Sequence, residues 1–164
     1  MKRAIKKSIP IFIVVMTFFT IASEEESAER SSFGEPFTSL SLTKSIDHKG
    51  QVRLYSAEIN KTKDNQQTIF IGYMESKVDV CELDKPIEDE IYMVNGMPVE
   101  MIVYCHAAPQ GNESLAEPKN QQGRDYLYEQ FQLESLVLVD FSGGTTTLNA
   151  KGFLKSWQLP DRRK

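Results

Sequence analysis

The stretch "MVNGMPVEMIVYCH", Met93–His106, carries most of what the sequence says about the fold. Asn95-Gly96 is the two-residue signal of a type I′ turn, because both central positions of that turn require a positive φ. Strand-forming residues flank the turn, so we predict a hairpin that joins Glu90–Val94 to Met97–Cys105. Around this turn Pro98 falls in a non-hydrogen-bonded pair. The outer side of the second strand is therefore predicted to lack a partner near Pro98, or to bulge.

The second strand of this hairpin has one apolar face. Side chains two residues apart share a face of a strand, which groups Met97, Val99, Met101, Val103 and Cys105. Cys105 is therefore predicted to face the core, and the adjacent His106 the opposite side.

Cys81 and Cys105 are the only cysteines of the chain, so only one intramolecular pairing exists. In an oxidising compartment they are predicted to form a disulfide, which stabilises the fold by about 3 kcal/mol through loop closure. A cysteine nucleophile would need a base on its own face, which His106 does not provide. A zinc site would need three or four ligands at typical spacings, and His48 and His106 stand alone. The pair is interpreted as structural, and no catalytic, cofactor-binding or metal-ligating residue is predicted.

The first residues of the chain resemble a targeting segment. Four basic residues precede Ile9–Ala22, an apolar run of 14 residues, and small residues stand before Ser23. This pattern predicts a secretory signal peptide over residues 1–22. The alternative is an uncleaved membrane anchor, but a helix that spans a bilayer needs about 20 apolar residues. We therefore expect a periplasmic or secreted protein without stable membrane insertion after cleavage.

The rest of the chain is predicted to form one domain. Residues 23–35 are acidic and small and are expected to be a flexible tether, residues 36–160 a single β-rich domain, and residues 161–164 a basic tail. The fold class is α+β: mainly an antiparallel β-sheet of six or seven strands, with one packed helix and a single disulfide. The remaining predicted strands are a hairpin of Gln51–Ile59 with Gln67–Ser76, a short strand Lys77–Leu83, a strand Ser135–Phe141 and a Thr-rich strand over residues 145–153. A loop is predicted at Ala107–Gly123. A helix is predicted at Arg124–Glu134, with Leu127 and Phe131 facing the core.

Patterns typical of enzymes are weak in this sequence. No G-x-S-x-G motif presents a serine nucleophile, and Gly143-Gly144 lacks the frame of a phosphate-binding loop. Paired carboxylates are abundant in one acidic stretch and are interpreted as solvated surface: Glu82, Asp84, Glu88, Asp89 and Glu90. The sequence therefore predicts a protein that is not an enzyme.

The charge of the chain limits its partners. Removal of residues 1–22 takes away four basic residues and no acidic one, which moves the formal net charge from −4 to −8. Such a surface argues against nucleic acid or anionic lipid as a partner and is compatible with a basic protein partner; the alternative is that the acidity only confers solubility. In architecture and charge the chain resembles small periplasmic inhibitor and immunity proteins of bacteria, and this resemblance carries no motif.

Three functions follow as hypotheses. The first is an exported, non-catalytic binding protein, such as an inhibitor or immunity-type protein for a basic toxin or hydrolase. The second is a structural accessory of an envelope assembly, and the third is a carboxylate-dependent enzyme acting on cell wall or carbohydrate.

Overall fold

The computed structural model describes residues 27–34, 40–46, 49–83 and 88–159, in which one antiparallel sheet dominates. The predicted signal peptide and basic tail lie outside these ranges, as do His48 and Asp84. Nine strands form the sheet in the order β1-β2-β3-β4-β7-β6-β5-β8-β9. They are β1 (Ser27–Arg30), β2 (Leu40–Ile46), β3 (Val52–Lys61), β4 (Gln67–Glu75), β5 (Glu88–Val94), β6 (Met97–Ala108), β7 (Gly111–Pro118), β8 (Leu136–Phe141) and β9 (Gly144–Asn149).

The β5–β6 hairpin confirms the prediction made from Asn95-Gly96. Asn95 has φ 46° and Gly96 φ 83°, as a type I′ turn requires, and Met93 pairs with Pro98. Strand β7 pairs with β6 only as far as Met101. Among the described strands, none therefore pairs with Pro98 on its outer side. On the predicted apolar face Val99 and Met101 are buried, whereas Met97 at the hairpin tip is exposed.

The β3–β4 hairpin is also confirmed, but the strand predicted at Lys77–Leu83 is wrong. Beyond β4 only an isolated bridge between Glu75 and Val78 continues the ladder. Lys77 has φ 64°, in the left-handed region, so the chain turns out of the extended conformation there. The residues after it, up to Leu83, form an irregular segment instead of a strand.

The long loop predicted at Ala107–Gly123 is wrong as well. Strand β6 continues to Ala108, the chain turns at Pro109 and Gln110, and β7 returns between β4 and β6. Strand β7 is short of strand formers, but neighbours on both sides pair with its backbone. These ladders satisfy its N–H and C=O groups and outweigh its low β-propensity.

The predicted helix is present as α1 (Gln121–Leu133) and begins three residues before the predicted start. The Asn120 side chain accepts a hydrogen bond from the Gly123 N–H at 2.8 Å and caps the helix. A Cβ on Gly123 would lie 3.0 Å from Val99 Cγ1, so this glycine lets the helix pack closely on β6. A second, five-residue helix, α2 (Phe153–Trp157), comes after β9. The described fold is therefore mostly β, with one main and one short helix, rather than six or seven strands with one helix.

The predicted tether also needs correction where the structure describes it. Ser27–Arg30 forms β1 and pairs with β2 in register, from Ser27 with Ile46 to Arg30 with Thr43. Phe33 is buried and belongs to the hydrophobic core. The polar character of residues 23–35 favours a flexible tether, yet one aromatic side chain and one edge strand attach this segment to the sheet.

The sheet curls until its two ends meet. Thr43 Oγ1 on β2 donates a hydrogen bond to the carbonyl oxygen of Thr147 on β9, at 2.8 Å. One end of the resulting cylinder is closed by α1 and α2. Phe33, Phe131 and Phe153 pack there edge to face or tilted, with ring centroids 5.5–6.0 Å apart. We call this the closed end. Leu127 and Phe131 face the core as predicted.

Candidate functional site

The opposite end of the curled sheet is open and contains a cavity of about 850 Å³. We call this cavity the cup. Residues of the six strands β3 to β8 line it, together with the β8–β9 turn and the irregular segment that comes after β4. The lining therefore comes from strands distant in sequence, which the curl of the sheet brings together.

The floor of the cup rests on an aromatic quartet of Tyr55, Tyr73, Tyr92 and Phe141, of which the last three line the cavity while Tyr55 packs behind Tyr73. Tyr55 stacks on Tyr73 with centroids 5.2 Å apart, and Tyr92 stacks on Phe141 at 4.5 Å. Phe141 also meets Tyr73 edge to face at 5.7 Å, which joins the two stacks. Tyr55 and Tyr92 are buried, whereas Tyr73 and Phe141 are half-buried and present ring surface to the cup. Such packing fixes the orientation of the rings.

The turn between β8 and β9 packs against this floor. A Cβ on Gly143 would lie 2.4 Å from Phe141 Cε2 and 2.8 Å from Tyr73 Cδ1. Only glycine fits at that position without displacing the rings. Tyr55 Oη donates a hydrogen bond to the Gly143 carbonyl oxygen at 3.4 Å, which ties the turn to β3.

Two half-buried carboxylates stand on different strands of the cup. Glu75 on β4 accepts a hydrogen bond from Tyr73 Oη at 2.6 Å, and its Oε2 lies 3.6 Å from Arg53 Nε. Glu90 on β5 accepts a hydrogen bond from Ser142 Oγ at 3.0 Å. Glu75 thus has a cationic partner beside it. For Glu90 the sequence suggests solvated surface, and the structure instead places this residue half-buried in the lining.

The phenols of the floor hold their protons strongly. Burial, followed by the hydrogen bond to Glu75, raises the pKa of Tyr73 above its ordinary value. Burial, followed by the charge of Glu90, raises the pKa of Tyr92. Both groups are therefore neutral at neutral pH, where they offer aromatic faces and hydroxyl groups.

One wall of the cup is the irregular segment Val78–Leu83, which we call the wall segment. The disulfide between Cys81 and Cys105 ties it to β6, with Cα atoms 5.7 Å apart. Asn112 fastens it further, since its N–H bonds to Asp79 Oδ1 at 2.9 Å and its Nδ2 to the Cys81 carbonyl oxygen at 3.0 Å. The wall is therefore held by a covalent bond and by hydrogen bonds that include the two made by Asn112.

The pairing of Cys81 with Cys105 is as predicted, but Cys81 lies in the irregular wall segment and not in a strand. The disulfide is confirmed, and neither cysteine of the chain is free. Cys105 is half-buried towards the cup, whereas His106 pairs with Glu113 across the ladder and is exposed. Among the residues that the structure describes, no group of three or more His, Cys, Asp or Glu is arranged to hold a metal ion.

Sequence reasoning missed the aromatic floor. Its four rings come from β3, β4, β5 and β8, and each reads as an ordinary strand residue in its own segment. The available signal was position: Tyr55 and Tyr73 are cross-strand partners, and Phe141 immediately precedes the turn that covers them. Only the strand order brings Tyr92 to the same place.

Fold and site together define a class of protein: a curled antiparallel sheet closed at one end by helices and open at the other as an aromatic, acidic cup. Comparison with protein families, with curated proteins and with solved structures finds no match to this chain. Within the described ranges, no helix has the length and apolar character needed to cross a membrane.

Proposed function

We propose that this chain is a small exported, non-catalytic binding protein and that the cup is its binding site. The observation that carries this proposal is a preformed cavity of about 850 Å³. Cavities of ~300–1,000 Å³ with aromatic lining and a few polar groups are typical of ligand sites. Ring packing and the disulfide hold the floor and the wall in place, which lowers the conformational entropy lost on binding.

The proposed partner is a protein with a basic surface. The chain without residues 1–22 has a formal charge of −8, and carboxylates line the cup. Opposite charge speeds association and makes it sensitive to salt. An inhibitor or immunity-type protein that neutralises a basic toxin or hydrolase would have these properties. Export to the periplasm or medium is supported by the signal-like first residues and by the disulfide, since disulfides persist in oxidising compartments.

A capture experiment with matched variants tests this proposal. The mature chain (residues 23–164) is immobilised and exposed to envelope and culture extracts at low salt, then eluted at high salt. Glu90→Gln removes one charge in the cup and keeps an oxygen that accepts the Ser142 hydrogen bond. Glu129→Gln removes one exposed charge on α1 as the control. A basic protein held by the wild type and the control, but not by Glu90→Gln, supports the proposal. Equal capture by all three chains contradicts the cup as the binding site.

The structural-accessory function is a second candidate, favoured by one observation. Ile91 and Met93 on β5 and Leu136 and Leu138 on β8 are exposed apolar side chains on neighbouring strands. Such a patch is typical of contact surfaces in assemblies. Capture of a multi-protein envelope complex that resists salt, and that Ile91→Ser abolishes while Glu90→Gln does not, would favour the accessory function.

The carboxylate-dependent enzyme is a third candidate because Glu75 and Glu90 are half-buried in one cavity. Turnover of peptidoglycan or glycan by the purified chain, lost in Glu90→Gln and kept in Glu129→Gln, would replace the binding proposal with this one.

A further inference from the structure

We infer that the cup binds an organic cation, either an alkylammonium or a guanidinium group. This inference rests on the proposed function, because it specifies the chemical group that binds in the same site. Two sources have this chemistry. One is a free amine or polyamine, and the other is a lysine or arginine side chain of a basic protein partner.

The charges of the cup favour a cation. Its described lining contains four carboxylates, those of Glu75, Asp79, Glu82 and Glu90, against the guanidinium of Arg53 and the imidazole of His106. Arg53 lies beside Glu75, so the positive charge of its guanidinium partly neutralises the Glu75 carboxylate. Asp79 and Glu90 add two further carboxylates to the lining, and their negative charge attracts a cation and repels an anion.

The position of the carboxylates favours a group of organic size. Glu75 on β4 and Glu90 on β5 are separated in the sheet by β7 and β6, so they stand on different sides of the cup. Asp79 and Glu82 belong to the wall segment. A small metal ion needs several oxygen ligands within about 2–2.6 Å of its centre. Carboxylates spread around an opening can instead surround a larger cation.

The floor of the cup offers the second element of cation recognition. Tyr73 and Phe141 present half-buried rings, and the faces of aromatic rings carry negative partial charge. Ammonium and guanidinium groups bind such faces within about 6 Å of the centroid, and more strongly where water is excluded. The Tyr73 hydroxyl is already bonded to Glu75, so Tyr73 contributes to the cup through the part of its ring that Tyr55 does not cover.

The rim of the cup matches the hydrocarbon part of such a ligand. Val78 and Leu83 at the two ends of the wall segment are exposed apolar side chains. A lysine or arginine side chain, or an alkylamine, carries an apolar stem behind its charged head. A head against the floor and a stem against the rim would bury both parts of such a molecule.

Matched small probes test the inference directly. Butylammonium and butylguanidinium are titrated into the ¹⁵N-labelled mature chain at 0.15 M salt, with butyrate and butanol as the anionic and neutral counterparts. Both cations are expected to shift the amide signals of Tyr73, Glu90 and Gly143, and both counterparts are expected to leave them in place. Equal shifts with butyrate or butanol, or no shift with either cation, would overturn the inference.

Variants connect the effect to the cup. Glu90→Gln and Phe141→Leu are expected to weaken cation binding at least five-fold, while the exposed control Glu129→Gln leaves it unchanged. Each variant is first shown to give a folded amide spectrum. Unchanged cation binding in both cup variants would contradict the inference. The result for Glu90→Gln decides the question even if Phe141→Leu alters the fold, because glutamine preserves the shape of the side chain.

Competition experiments distinguish a free amine from a side chain of a protein partner. They also test the cation inference separately from the proposed function. Tighter cup binding by spermidine than by an arginine decapeptide supports a free amine, and the reverse order supports a partner side chain. If a basic protein is captured through the cup and butylguanidinium does not displace it, the proposed function holds and the cation inference fails. If the cations bind the cup and no basic protein is captured, the cation inference holds and the proposal of a basic protein partner fails.

Discussion

Gly143 is the single residue on which the floor of the cup most directly depends. Its missing side chain lets the β8–β9 turn lie against Phe141 and Tyr73, at distances that no Cβ could occupy. The need is steric, because this glycine is not among the residues with positive φ. A residue outside the quartet therefore sets how the rings of the quartet are arranged.

We predict that Gly143→Ala destabilises the protein and disturbs the cup. The added methyl group must displace two packed rings, and overpacking of this kind costs about 1–3 kcal/mol. Urea denaturation followed by circular dichroism measures the loss. Ser135→Ala, an exposed substitution immediately before β8, is the control and should change the free energy of unfolding by less than about 0.5 kcal/mol. Equal stability of Gly143→Ala and the wild type would contradict the ring packing described above.

Individual residues are predictable from sequence where their conformation is decided locally. Asn95-Gly96 specifies its turn by itself, and two cysteines in an exported chain have one pairing. Gly143 gives no such signal, since the rings that require it belong in part to strands far away in sequence. Glu90 is misjudged from sequence for the same reason: its acidic neighbours suggest solvent, while its strand directs it into the cup.

At the scale of elements, the β5–β6 hairpin offers the cleanest test of turn chemistry. We predict that Gly96→Val lowers the free energy of unfolding by about 1 kcal/mol or more, because a β-branched residue is strained at φ 83°. Gly96→Asn is the control and should cost less, since asparagine tolerates the left-handed region. A Cβ at this position would have no atom within 4 Å, so backbone conformation alone separates the two variants. Identical melting temperatures for both variants would contradict this explanation.

The wall segment is the element that the disulfide controls. Replacing Cys81 and Cys105 together by alanine is predicted to cost about 3 kcal/mol, from the loop of 24 residues that the bond closes. Hydrogen exchange should show the loss first in Val78–Leu83, where hydrogen bonds such as the two made by Asn112 would remain without the covalent bond. Exchange within β8 is the internal control. Loss of protection spread evenly over both regions would contradict a local role, and a thiol titrated in the unreduced wild-type protein would contradict the disulfide itself.

Strand β7 shows why elements cannot always be predicted from their own residues. Its sequence, from Gly111 to Pro118, contains two glutamates and an asparagine and lacks β-branched residues. It becomes a strand because it lies between β4 and β6, whose backbone N–H and C=O groups pair with its own. The local signals are the turn residues Pro109 and Gly111, and these mark a reversal of the chain without indicating that a strand comes after it.

For the whole molecule, the closure of the sheet determines where a ligand can bind. Helices and the Phe33 ring occupy one end, and the cup lies at the other. The sequence indicates an antiparallel sheet with a helix, but not the strand order that places β7 between β4 and β6. That order depends on long-range pairing, which local patterns do not report. Consequently the fold class is largely predictable from sequence and the cup is not.

The buried phenols give the whole molecule a dependence on alkaline pH. The pKa of Tyr73 and that of Tyr92 are raised in the folded protein, chiefly by burial. In the unfolded chain a tyrosine ionises near pH ~10. The folded state therefore retains these protons at a pH where the unfolded state has released them. Their contribution to stability is fully present below pH ~10 and is lost as the pH rises towards the folded-state pKa.

We therefore predict that the melting temperature falls as the pH rises from ~10 to ~12, and that Tyr92→Phe makes this fall smaller. Phenylalanine keeps a ring against Phe141 but has no proton to release, so it removes one source of the dependence. Phe153→Leu is the control: it removes a buried ring of the closed end without an ionisable group, and should lower the melting temperature equally at every pH. Thermal denaturation by circular dichroism at fixed ionic strength measures all three chains. A decline of equal slope in the wild type and in Tyr92→Phe would show that the Tyr92 hydroxyl is not held in its protonated form by the fold.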